Sequence, residues 1–166
     1  ISAIPSIALK QVEVLRDGAA AQYGSDAIAG IMNFVYRDNS EGTQIEIRTG
    51  EYADGDGDMY RVAANIGMPF TADGFANISV ELQDTDPTSR SQQRGDAQAL
   101  YDGGNAAIWN YPNPAQVWGS PEVSDDVKLV ANIGLELDSD QEFYLFGNYA
   151  ERKVLGGFFF RNPTNR

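Results

Sequence analysis

The sequence contains no histidine and no cysteine in its 166 residues. Histidine is the commonest acid–base side chain and metal ligand, so its absence argues against zinc enzymes and histidine-based catalytic triads. The absence of cysteine excludes disulfide bonds and thiolate chemistry. The phosphate-binding pattern GxxxxGK[ST] does not occur either. We therefore predict that the chain is not an enzyme and that it needs no cofactor.

Basic residues and long apolar runs are scarce as well. The sequence has 12 lysine and arginine residues against 24 acidic ones, which gives a net charge of -12 at pH 7. Phosphate groups are bound by lysine and arginine, so this balance argues against a nucleic-acid partner. No apolar run approaches the roughly 20 residues of a transmembrane helix. That absence is neutral for a membrane β-barrel, whose strands each show only about 10 alternating residues.

From Thr43 onward, apolar and polar residues alternate with a period of two, which predicts β-strands. The predicted strands cover residues 43–49, 60–68, 76–82, 127–137 and 141–151, and a last apolar run covers 154–160 with Gly156 and Gly157 inside it. The predicted connections are 51–58, 69–74, 84–126 with a helical turn over 98–101, 138–140 and a loop from about residue 151. The predicted fold is mainly β, an antiparallel up-and-down meander.

This alternation fits two architectures. One is a soluble sheet with one exposed face, and the other is the wall of a membrane β-barrel with its apolar face to lipid. Alternation alone favours the soluble sheet, because soluble sheets are commoner. The connections favour the barrel, in which short turns alternate with longer outer loops. Here the turns 69–74 and 138–140 are short, and the connection between them, 84–126, is very long.

The stretch before the meander, Leu9–Asp38, has a different character. The predicted elements are a strand over 11–15, a turn at Asp17-Gly18, a short helix over 19–22, a turn at Gly24 with Ser25 or Asp26 as a cap, and a strand over 31–36. Local chemistry alone is equally consistent with an ordinary packed corner of an α+β protein. The identity of the residues adds more than their pattern does.

The order of residues in this stretch closely resembles the end of the plug domain of TonB-dependent outer-membrane receptors. The matching segments are Val12–Arg16 with Gly18, Tyr23-Gly24-Ser25, Ala27–Gly30 and Asn33. The departures are small: Asp17 precedes the glycine, Ala29 stands where glycine is usual, and Met32–Val35 is less aliphatic. The residues that carry the resemblance are Glu13, Arg16, Gly18, Tyr23, Gly24, Gly30 and Asn33.

The resemblance implies a two-part organisation. Residues 1–38 would be the small α+β end of a plug domain, and residues 43–166 the first five or six strands of a transmembrane β-barrel with the long outer loop 84–126. The chain would then be an internal piece of a protein in the outer membrane of a Gram-negative bacterium. That protein would take up siderophore-iron, cobalamin or an oligosaccharide. A TonB-type energy-transducing protein would act on a segment outside this chain, and outer-membrane lipid would cover the strands.

Two sets of side chains are candidate binding residues. Trp109, Tyr111 and Trp118 lie on the proline-rich loop 84–126, where aromatic faces can stack on a ligand, form a small core of the loop, or lie at the membrane edge. Asp54, Asp56 and Asp58 have the spacing of a calcium loop, but asparagine stands where its bidentate glutamate is needed. The alternative is a solvated hairpin tip, and we predict no metal site.

Other charged residues leave alternatives open. Glu13 and Arg16 form either an ion pair at the plug edge or a surface pair of little consequence. Charges on the polar strand faces would line a barrel lumen or be solvated on a soluble sheet; they are Glu46, Arg48, Arg61 and Glu81. The rival function is a secreted, non-enzymatic β-domain that binds carbohydrate or protein through loop 84–126. If the piece is studied alone, its unpaired edges and apolar face predict self-association or refolding into a compact sheet.

Overall fold

The computed structural model describes residues 2–16, 23–24, 30–116, 118–138, 140–157 and 159–164, and the structural statements below concern these residues. Several features of the predicted plug end lie outside the described residues. These are the turn at Asp17-Gly18, the short helix over 19–22, the capping residues Ser25 and Asp26, and the small residues 27–29.

The structure is mainly β, as the alternation predicts. A two-stranded antiparallel sheet contains β1 (Leu9–Leu15) and β2 (Ile31–Tyr36). A five-stranded sheet follows, with β3 (Thr43–Gly50), β4 (Met59–Pro69), β5 (Gly74–Thr85), β6 (Glu122–Asp138) and β7 (Gln141–Leu155). The strand order β3-β4-β5-β6-β7 puts every strand beside its neighbour in sequence. The predicted antiparallel meander is confirmed.

The strand boundaries differ most from the predicted ones at β6 and β7, and β5 is also longer than predicted, at Gly74–Thr85 instead of 76–82. β6 begins at Glu122 rather than at 127, and β7 continues to Leu155, so the loop predicted from about residue 151 is wrong. No separate strand over 154–160 is present in the described part of the chain. Charged residues interrupt the apolar pattern at both places. The backbone ladder nevertheless continues, because Asp125, Arg152 and Lys153 stand at exposed strand positions and the buried Asp126 is paired with Lys128.

The long connection between β5 and β6 contains the helix α1 (Gly95–Asp102) and a 3-10 turn (Ala106–Ile108). The predicted helical turn over 98–101 lies inside α1 and is confirmed. Another 3-10 turn (Ser6–Ala8) precedes β1. Within the described residues, no helix is long and apolar enough to cross a membrane.

Gly30 determines how β2 begins. Its φ of +129° is in the region that favours glycine, and a Cβ placed there would lie 2.5 Å from the carbonyl oxygen of Leu15. Leu15 and Ile31 are partners at the adjacent end of the β1–β2 ladder. A side chain at residue 30 would therefore push the two strands apart. The glycine of the sequence motif thus has a structural reason.

The contacts divide the chain into two compact units. The first comprises Ile1–Ile47, Arg61–Leu82 and Asp126–Glu151; the second comprises Arg48–Tyr60, Gln83–Asp125 and Arg152–Arg166. The division between residues 1–38 and 43–166 that the sequence predicts stays a prediction. The second unit has a small apolar core of Ala97, Ile108, Ala115 and Phe160, with Leu100, Tyr101 and Tyr111 packed against it.

In the first unit the usual relation between polarity and burial is reversed. Most buried positions of the strands carry polar or charged side chains, and only Ala63 and Val130 are buried apolar side chains among the described strand residues of this unit. The buried polar residues are Arg61, Asn65, Asn77, Ser79, Glu81, Asp126, Lys128 and Asn132. The alternate positions are apolar and exposed, for example Val62 at 45%, Ile66 at 39% and Leu129 at 41%. The two faces predicted from the alternation are confirmed. The side that is covered is the polar one.

Candidate functional site

A chain of charges, buried except for the partly exposed Glu46, crosses four neighbouring strands on the covered face of the first unit. The guanidinium of Arg61 on β4 contacts Glu46 on β3 at 3.3 Å and also pairs with Glu81 on β5. Lys128 on β6 places its Nζ 2.7 Å from Glu81 Oε1 and 3.4 Å from an oxygen of Asp126. Charges out of water need partners, because an isolated buried ion is very costly. Here each acid contacts a base.

An amide cluster lies on the same face. Asn65 Nδ2 donates to Ser79 Oγ at 2.8 Å and also to the side-chain oxygen of Asn77. Asn77 in turn donates to Oδ1 of Asn39 at 2.9 Å. Asn39 lies between β2 and β3, so this bond joins the end of the small sheet to the face of the large one. Buried amides are stable only when they are hydrogen-bonded in this way.

Further contacts bring the N-terminal part of the chain onto this face. Arg61 Nη2 donates to Ser6 Oγ at 2.6 Å, and Asn132 Nδ2 donates to the carbonyl oxygen of Arg37 at 2.9 Å. The backbone NH of Gly67 donates to the carbonyl oxygen of Gly42 at 2.9 Å. We call these contacts, with the Asn77–Asn39 bond, the polar seam. Gly67 is required in it, because a Cβ at residue 67 would collide with the backbone of Asn39.

The residues of the plug-like motif are partly brought together. Glu13 and Asn33 are partners in the β1–β2 ladder, and Asn33 Nδ2 donates to Glu13 Oε2 at 2.9 Å. Glu13 also accepts a hydrogen bond from Gln11 Nε2 at 2.6 Å, and an ion pair of Glu13 with Arg16 stays a prediction. Tyr23 is exposed, and Gly24 has a φ of +92°. Gly18 lies outside the described residues.

The polar strand residues separate into two groups. Glu46, Arg61 and Glu81 belong to the buried chain of charges, whereas Arg48 is exposed and belongs to the second unit. Sequence reasoning missed Lys128 and the seam residues Ser6, Asn39 and Asn132. The signal for Lys128 was present, because it lies on the polar side of the most regular strand. Asn132 lies on the same side of that strand and shares this signal, whereas Ser6 and Asn39 have no local signal.

The three aromatic candidates of the long loop do not share one environment. Trp109 and Trp118 are 67% and 53% exposed, whereas Tyr111 is packed against the core of the second unit. Tyr111 meets Phe160 edge to face at 5.2 Å between ring centres, and Trp118 meets Phe159 in the same way at 4.8 Å. Sequence reasoning treated these two phenylalanines as strand residues and missed their part in the loop.

An apolar cavity of about 380 Å³ lies in the second unit. Its lining includes Tyr111, Pro112, Pro121, Leu155 and Phe159. Neither tryptophan is among the described lining residues. Apolar clefts of this size, with aromatic walls, are common binding places for small molecules. The loop therefore has two aromatic features, a lined cavity and two exposed indoles.

The aspartates of the hairpin loop 51–58 are held by an arginine. Nη2 of Arg90 lies 2.9 Å from Asp54 Oδ2 and 2.8 Å from Asp56 Oδ1, and Nη1 also contacts Asp56. The hydrogen bond from Arg90 lowers the pKa of Asp56 below its ordinary value of 3.8. The structure does not place Asp58 with them on Arg90, and no group of three or more acidic residues in the described ranges is arranged to hold a metal ion.

Taken together, the described residues define a β-meander with exposed apolar faces, a largely polar covered face and a long connection that carries aromatic side chains. Comparison with known proteins gives a distant match. The chain is 26% identical over 92 residues to the vitamin B12 transporter BtuB of Photobacterium profundum. The match covers 55% of this chain and 15% of the length of that transporter. No protein-family model and no solved structure matches the chain.

Proposed function

We propose that the chain is part of a TonB-dependent transporter of the outer membrane. It would contribute the last strands of the plug and the first five strands of the barrel wall. The whole protein would take up a scarce nutrient of the siderophore-iron, cobalamin or oligosaccharide class. A TonB-type protein would supply the energy through a segment outside this chain. The distant similarity to a vitamin B12 transporter supports transport in general and leaves the cargo open.

The observation that carries this proposal is the reversed polarity of the first unit. A soluble sheet would cover its apolar face and leave its polar face in water. Here Arg61, Glu81 and Lys128 are covered while Val62 and Ile66 are exposed. Such a face is expensive in water and favourable in lipid, as in the walls of outer-membrane barrels. The rival secreted β-domain requires the opposite arrangement.

The polar seam supports the second part of the proposal. Asn39 and Gly42 connect the two-stranded sheet with the five-stranded sheet, and both contact polar-face residues of the large sheet. This is the arrangement expected where the end of a plug leads into a barrel wall and lies against its inside. Ser6 adds a contact from the segment before β1.

The outer loop supports the third part. Trp109 and Trp118 are exposed aromatic side chains on the long connection. Tyr111, which lies between them in the sequence, lines the apolar cavity. We propose that cargo contacts this loop on its way to the plug. Stacking on aromatic faces suits the corrin, catecholate and sugar groups of the three cargo classes.

The test uses the full-length protein expressed in a Gram-negative host. We expect it in the outer-membrane fraction, extractable only with detergent, and we expect energy-dependent uptake of one of the three labelled cargos. A strain without the energy-transducing protein is the control, and uptake there should fall to the background. A freely soluble full-length monomer would refute the proposal.

A further inference from the structure

The hairpin loop 51–58 is fastened to the segment that follows β5. Arg90 reaches both Asp54 and Asp56, and the backbone NH of Asp86 donates to the carbonyl oxygen of Asp58 at 2.8 Å. All of these residues belong to the second unit. The two segments are therefore joined by side chains at one end of the contact and by backbone at the other.

The position of Arg90 is fixed by its surroundings. Its backbone NH donates to the carbonyl oxygen of Trp118 at 2.7 Å, and Thr88 NH donates to that of Ser120 at 3.2 Å. Thr88 is only 6% exposed, and its methyl group lies against Gly57. Gly57 has a φ of +69°, and a Cβ there would be 2.6 Å from that methyl group. The hairpin thus fits against this segment only with glycine at residue 57.

The chemistry of this contact is that of a cation held by carboxylates. A guanidinium offers five donors in a planar fork and matches carboxylate oxygens better than a point charge does. Calcium instead needs six to eight oxygen ligands. A calcium ion at Asp54 and Asp56 would have to displace the guanidinium of Arg90, whose backbone NH is hydrogen-bonded to the carbonyl oxygen of Trp118.

We propose that Arg90 is a built-in cation that orders the hairpin 51–58 in place of a divalent metal ion. It fastens the hairpin to the segment whose backbone also positions Trp118. The outer rim of this region then keeps its shape whether or not divalent ions are present. The inference stands on the contacts of the second unit and does not depend on which cargo is carried.

The test is hydrogen exchange of the full-length protein in lipid nanodiscs, followed by mass spectrometry of peptides that cover residues 51–58 and 86–91. In the wild type, exchange should be the same in EDTA and in about 1 mM CaCl₂. Arg90→Gln should speed exchange of both peptides by roughly fivefold, the effect of losing two partly exposed ion pairs. Arg90→Lys keeps the charge but loses the planar fork of the guanidinium, so its exchange rates should lie between those of the wild type and of Arg90→Gln.

Arg94→Gln is the matched control. Arg94 is on the same loop and also has an acidic partner, Asp96, but that partner lies two residues away in its own segment. This variant should leave the hairpin peptide unchanged. If Arg90→Gln fails to assemble, the wild type in 1 M salt provides the same test, because screening should speed exchange of the hairpin. Unchanged exchange in Arg90→Gln, or protection of the wild type only with calcium, would overturn the proposal.

Discussion

Arginine substitutions along the exposed face of β4 can show whether this face lies in lipid, as in a barrel wall, or in water, as in a soluble sheet. Tyr60, Val62, Ala64, Ile66 and Met68 share this face. The eight steps from residue 60 to residue 68 correspond to roughly 26 Å along the strand at about 3.3 Å per residue. A tilt of about 40° reduces this length to roughly 20 Å along the membrane normal. All five positions would thus fall within an apolar band about 25 Å tall.

The expected cost depends on depth. Arginine at the midplane of an outer-membrane barrel costs about 2–4 kcal/mol, and near the interfaces about 0–1 kcal/mol. The free energy of unfolding should therefore fall most for Ala64→Arg and least for Tyr60→Arg and Met68→Arg. In water, substitutions at such exposed positions would stay within about 0.5 kcal/mol everywhere. The shape of the profile distinguishes the two cases better than any single variant.

The assay is denaturant unfolding of the full-length protein in lipid vesicles, with folding followed by the mobility of unheated samples in gels. Leucine at the same five positions is the control for a change of size, and it should give a flat profile. A flat profile for arginine as well would mean that this face does not meet lipid. The reading of the reversed polarity would then be wrong.

Other predictions follow from single contacts. Glu81→Gln removes an ionic partner of both Arg61 and Lys128 in the chain of charges. It should lower the free energy of unfolding by about 3–5 kcal/mol in the same assay. Lys10→Gln, at the exposed pair with Asp38, is the control and should lower it by at most about 1 kcal/mol. Phe160→Ala removes a buried ring from the core of the second unit and should lower the free energy of unfolding by about 3–5 kcal/mol. Arg90 lowers the pKa of Asp56. The stability that this ion pair gives to the hairpin contact should therefore be complete above the ordinary carboxyl pKa, and it should be lost as the pH falls through the lowered pKa of Asp56. A spin label at residue 53 should become mobile in that acidic range, and Asp56→Asn should abolish the transition. The 166-residue chain alone should associate, since every residue of the edge strand β7 is exposed, and a clean monomer in light scattering would contradict this.

Alternation along the strands predicted the meander and both of its faces, because the period of two is a property of each strand alone. It could not predict which face is covered. A strand such as β5 presents Ile78 and Leu82 on one side and Asn77 and Glu81 on the other, and this pattern is the same in a soluble sheet and in a barrel wall. Which face is covered depends on the segments that lie against the sheet, and these are brought there by the tertiary structure.

The candidate sites were predictable only where their signal is local. Glu13, Gly30 and Asn33 belong to one ordered motif and could be recognised in the sequence, although the hydrogen bond between Asn33 and Glu13 was not predicted. Arg61 and Ser6 are separated by 55 positions, and Asn132 and Arg37 by 95. Serine and asparagine carry no pattern that points to such distant partners. For the same reason the spacing of the hairpin aspartates resembled a calcium loop. No residue near them in the sequence indicates that their partner is an arginine from another loop.

Breaking the contacts of the polar seam would cost less free energy than breaking the ion pairs of the buried chain of charges. Glu46, Arg61, Glu81 and Lys128 all belong to strands of the large sheet and neutralise one another there. If the segment with Ser6 and Asn39 moved away, none of these four charges of the large sheet would lose its ionic partner. The four hydrogen bonds of the seam would be lost, at about 1 kcal/mol each. That sum is smaller than the stability of a typical domain, and water can replace each bond. Ile7 and Ala8 of the same segment are buried as well, so separating the segment would also expose apolar surface, for which water offers no such replacement.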